Sequence, residues 1–180
     1  MHWFGKNWIT IIPPLAIFSG VLGVVKVIVN RKLSPPMLRF EAVREKGLTS
    51  SEVVYLARII SEPLQGITSI IAKRRDIQQA KVRAQFKYNN HVISEQFLDS
   101  YPDGFQSVNI RANNSTYDFL LVSKGEGYAD CHAGLYPTGD ILPAKADISI
   151  LVTVMEGQHI LGQSNYIIHN PDEHISNFNV

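Results

Sequence analysis

From Asn7 to Val25 the chain carries no charged residue, and most of its side chains there are apolar. A stretch of this kind restricts the options sharply, because it is too apolar for a free tail and long enough to leave water altogether. The run from Trp8 to Val29 has the length a helix needs to cross a bilayer. Lys26 lies within a turn of its end, where the aliphatic stem reaches the headgroups. Trp3, Phe4 and Trp8 cluster at the opposite interface.

Pro13 and Pro14 complicate the helix. Either they kink it, or Pro13 takes the first helical position and residues 8–12 lie in the interface. A helix from Pro13 to Asn30 still spans about 27 Å. A cleaved signal peptide is the competing reading. Its basic flank is Lys6 alone, no small-x-small cleavage site follows, and Lys26, Arg31 and Lys32 come next in a stop-transfer pattern. The sequence predicts a retained transmembrane helix over residues 8–29, preceded by a short flank, residues 1–7.

The basic residues set an expected orientation. Lys6 and the amino terminus precede the span, whereas Arg31, Lys32, Arg39, Arg44 and Lys46 follow it. The positive-inside rule then puts the N-terminus outside and the C-terminal domain in the cytoplasm. The overlapping sequons at Asn113 and Asn114 pull the other way, but such triplets are common by chance. Within the helix, Ala16 with Gly20 and Ser19 with Gly23 form two small-xxx-small pairs that permit close helix packing. The plainer explanation is the ordinary abundance of small residues in membrane helices.

Residues 30–36 read as a stiff linker, since Pro35 and Pro36 bar a continued helix. Alternation then takes over. Leu38, Phe40 and Ala42 share one face. Val82, Ala84, Phe86 and Tyr88 oppose Lys81, Arg83, Gln85 and Lys87. Val108 and Ile110 repeat the pattern, as do Cys131, Ala133 and Leu135, and Ile148, Ile150, Val152 and Val154. Residues 117–122 are apolar on both faces, as a central strand would be, and residues 161–169 form a further strand. Residues 52–60 are ambiguous: Thr49 and Glu52 resemble a capping box, but Val53, Val54, Ile59 and Ile60 favour a strand. Residues 67–79 hold a short helix or a crossover. Seven or eight short strands with regular turns predict a mainly β chain, an Ig-like two-sheet antiparallel β-sandwich over residues 37–169, with a small β-barrel as the alternative. Residues 170–180 read as a flexible tail.

Cys131 is the single cysteine, so no disulfide forms within the chain. Asp130, Cys131 and His132 invite a thiol reading, but neighbours on a strand point to opposite faces, and Cys131 falls on the apolar one. His169, at the end of an expected strand, and His174, in the expected tail, form no zinc-type pair and could grip a metal only if that tail were ordered. No cofactor or metal site is predicted, and the chain reads as non-enzymatic.

Charge is unevenly spread. Residues 31–87 hold twelve Lys/Arg against five Asp/Glu, and residues 88–180 hold three against eleven. Arg31, Lys32, Lys73, Arg74, Arg75, Lys81, Arg83 and Lys87 are the candidates for contact with anionic headgroups or an acidic partner. A solvated strand face is the plainer explanation. Phe86 and Tyr88 fall on the face opposite the lysines, which disfavours nucleic acid.

The expected partners are the lipid bilayer and a protein partner or a second copy of the chain. The loops at Tyr101–Phe105 and Gly125–Tyr128 are candidate contacts from composition. Two other functions stay open: an accessory or sensor subunit docking through the helix, and an exported ligand-binding domain if the topology is reversed.

Overall fold

The computed structural model describes residues 20–29, 31, 33–47, 52–125, 131–135, 138–143, 146–169 and 174–178. The chain divides into two compact units, Met1–Pro35 with Pro63–Arg75, and Pro36–Glu62 with Asp76–Val180. The β unit expected as one stretch from residue 37 is thus interrupted: Pro63–Arg75 leaves it and groups with the N-terminal residues.

In the first unit, residues 20–29 form helix α1. Residues 31 and 33 are helical as well. Among the described residues no helix is long and apolar enough to cross a membrane. Residues 8–19 of the expected span lie outside the described residues. Val21, Leu22, Val24, Val25, Val27 and Ile28 are each 48–67% exposed. Lys26 is the charged residue among these exposed apolar ones. A second helix, α2 (Ile67–Ile71), begins after Gly66, whose φ of 59° only glycine adopts without strain. The Arg75 amide donates to the Ser34 carbonyl at 3.0 Å, and Arg74 Nη1 donates to the Pro35 carbonyl at 2.6 Å. These bonds fasten the segment after α2 to the residues that follow α1.

The second unit is all β, with two antiparallel sheets. The first runs β1 (Leu38–Lys46), β2 (Glu52–Ser61), β7 (Thr116–Gly125), β8 (Cys131–Ala133) and β9 (Ile141–Leu142), with β5 (Ser100–Tyr101) also paired to β7. The second runs β12 (His174–Phe178), β11 (His159–His169), β10 (Ile148–Glu156), β3 (Ile77–Tyr88) and β4 (His91–Leu98), with β6 (Val108–Ile110) also paired to β3. The two inner faces share one core, as in a β-sandwich: Phe40, Ala57, Ile59, Phe119 and Leu121 from the first sheet, and Val82, Phe86, Ile150, Val152, Tyr166 and Ile168 from the second. Burying each such side chain is worth about 1.5–3 kcal/mol, which is why alternation dictates the sheet faces.

Most expected strands are present. Ile148, Ile150, Val152 and Val154 are fully buried, as are Val82, Ala84 and Phe86. Residues 52–61 are a strand, with Val54 to Ala57 buried on both faces between β1 and β7. Tyr88 departs from the expected inward face; it is 36% exposed at the end of β3, beyond a register shift at Phe86 and Lys87. Leu135 is 53% exposed because the chain turns out of β8 at Gly134, where φ is 75°. The segment read as a flexible tail contains β12, paired antiparallel with β11 from Asn165 to His169. Backbone pairing at a sheet edge carries that strand, and its sequence has no marked apolar alternation.

Candidate functional site

β4 is among the strands that the sequence pattern does not predict, and it rearranges the expected basic stripe. Asn89 and Asn90, with φ of 47° and 64°, make the two-residue turn that folds β4 back on β3. Pairing then puts Phe97 opposite Arg83 and Glu95 opposite Gln85 on the outer face. Arg83 Nη1 lies 3.2 Å from Glu95 Oε1, Gln85 Nε2 donates to Glu95 Oε2 at 2.7 Å, and Lys81 Nζ stands 5.6 Å from the centre of the Phe97 ring. Two of the three β3 cations are therefore already engaged on their own sheet, Arg83 by a carboxylate and Lys81 by an aromatic face.

The remaining basic candidates belong to the other unit. Arg31 is helical and exposed, and Lys73, Arg74 and Arg75 follow α2, with Lys73 and Arg75 exposed. Lys32 lies outside the described residues. Of the small helical residues, Gly20 and Gly23 are in α1, and a Cβ added at either would meet nothing within 4 Å. Ala16 and Ser19 are outside the described residues, as is Tyr128. Tyr101 packs against the small cluster of Val54, Leu56 and Leu120 on the outer side of the first sheet, whereas Phe105 is 61% exposed.

Cys131 and His132 adjoin on β8, and both are buried. Cys131 joins the shared core. His132 points the other way, its Nδ1 2.9 Å from the Gly139 carbonyl. A carbonyl only accepts, so Nδ1 carries the proton. The ring thereby ties β8 to the β8–β9 loop.

That loop and β4 enclose a cleft of about 180 Å³, lined by Gln96, Phe97, Asp99, Leu120, Gly134 and Thr138 among others. The wall is held by several short bonds. Ser94 Oγ donates to Asp140 Oδ2 and Ser123 Oγ to the Gly134 carbonyl, both at 2.6 Å, and the Ala133 amide donates to the Asp140 carbonyl at 2.8 Å. Asp99 Oδ1 is shielded from water and has no hydrogen-bond partner among the described residues. The cleft thus sets the shielded Asp99 Oδ1 behind a wall that is part polar and part apolar.

These features define a two-sheet antiparallel β protein whose N-terminal unit bears an exposed apolar helix. No protein-family model matches the chain, and no curated protein matches it significantly.

Proposed function

We propose that the chain is a single-pass membrane-anchored, non-enzymatic interaction module, an Ig-like sandwich in the loose two-sheet sense, held at the cytoplasmic face of the membrane. One observation carries the reading. Apart from Lys26, the side chains of α1 are apolar and exposed, while the β unit seals a core of its own. A helix with such a surface is favoured in an apolar phase over water. The uncharged run that precedes α1 in the sequence, taken together with it, is as long as a bilayer span requires.

The orientation rests on Arg31, Lys32, Arg39, Arg44 and Lys46 after the span. The β unit would engage its partner through loops and sheet edges, the surfaces such folds use for binding. A second reading has the helix itself dock into a membrane complex, favoured by the open space over Gly20 and Gly23.

Protease applied to intact cells and to inside-out vesicles tests the placement. The expected result is a β unit protected in cells and digested in inside-out vesicles. Digestion from outside intact cells contradicts it. Gly20→Leu with Gly23→Leu separates the second reading: loss of a detergent-stable assembly supports helix docking, and an unchanged assembly removes it.

A further inference from the structure

We propose that α2 is a second membrane contact: Ile67 and Ile70 dip into the leaflet beside the anchor, with Lys73 and Arg75 at anionic lipid headgroups. The inference rests on the bilayer anchor proposed above and adds a surface to it.

Ile67 and Ile70 are 76% and 83% exposed, the two most exposed large apolar side chains among those described. They stand three residues apart, on one face of α2. Nothing in water favours two such side chains side by side at a helix surface; an apolar phase does. The polar residues between them are already satisfied. Thr68 Oγ1 donates to the Gln65 carbonyl at 2.6 Å and Ser69 Oγ to the Gly66 carbonyl at 2.7 Å. The Ala72 amide donates to the Thr68 carbonyl at 3.0 Å. A segment entering the interfacial layer needs this internal satisfaction, since unmet polar groups are costly there.

Position supports the same occupant. The bonds from Arg75 to Ser34 and from Arg74 to Pro35 hold the end of this segment to the residues just beyond α1. If α1 ends in the bilayer, the point of attachment is the headgroup layer. Lys73 and Arg75 are exposed there, and basic residues so placed favour phosphatidylserine over neutral lipid. An apolar pair flanked by cations is the pattern of an interfacial membrane contact.

The test uses the full chain reconstituted in phosphatidylcholine vesicles with and without phosphatidylserine. Ile67→Cys and Ile70→Cys variants are labelled with an environment-sensitive fluorophore; Cys131 is buried and does not compete. The expected result is blue-shifted emission, quenching by lipid-borne nitroxide and protection from aqueous iodide. In anionic vesicles Lys73→Gln should raise the undocked-to-docked ratio roughly fivefold. Labels that stay accessible to iodide and unquenched by lipid, in a chain that still resists carbonate extraction, overturn the α2 contact and leave the anchor standing. A chain that fails to stay with the vesicles overturns both.

Discussion

Arg58 and Asp118 face each other across β2 and β7, joined by two hydrogen bonds of 2.8 Å, Nε to Oδ1 and Nη2 to Oδ2. Nη2 also reaches Glu45 Oε1 at 3.2 Å. The bond to Asp118 raises the Arg58 pKa further above its already high ordinary value, so the guanidinium stays charged. Both side chains are less than a third exposed, and the fork geometry is one that lysine cannot reproduce. Arg58→Lys should cost about 1 kcal/mol, read as a shift of the urea midpoint. A double-mutant cycle with Asp118→Asn should give a coupling of similar size. Additive single effects would show the pair to be decorative.

Tyr166 is fully buried on β11, its hydroxyl donating to the Glu41 carbonyl at 3.4 Å. Burial pushes its pKa well above the ordinary phenol value. In the unfolded chain the hydroxyl ionises near pH 10, whereas in the folded protein it keeps its proton. The contribution to stability is therefore complete below about pH 10 and is lost as pH rises toward the folded pKa. Denaturation midpoints should fall with alkali in the wild type and fall less steeply in Tyr166→Phe. Identical slopes would contradict the linkage.

Gly139 closes the loop that walls the cleft. A Cβ there would lie 1.8 Å from the Ala133 carbonyl oxygen, so backbone must move to admit it. Gly139→Ala should destabilise by about 1–3 kcal/mol, the usual cost of overpacking. It should also loosen β8, so that the buried Cys131 thiol reacts with a maleimide faster than in the wild type. An unchanged melting temperature and an inert thiol would show that the loop is not held as described.

The strands that bury one clean apolar face were readable in the sequence. β10, and β3 from Ala80 to Phe86, alternate with period two, and their inward residues are in the core. β4 was not readable, because it reverses the pattern: Ser94 and Leu98 are buried while Val92 and Phe97 are exposed. The only signal for it was local, the Asn89-Asn90 turn that permits positive φ. Missing β4 also hid Glu95, the partner that occupies Arg83, and the cleft wall formed by Gln96 and Asp99. The exposed isoleucines of α2 were invisible for a different reason. Hydropathy marks a residue as apolar but does not say whether the fold covers it.

Membrane retention after an alkaline carbonate wash tests the anchor most directly. The wild-type chain should remain in the membrane pellet, and Val21→Asp with Leu22→Asp should move it to the supernatant, since a charged side chain far from either end of the span opposes insertion. A wild-type chain that washes off like a peripheral protein would contradict the anchor, and with it the placement of the β unit.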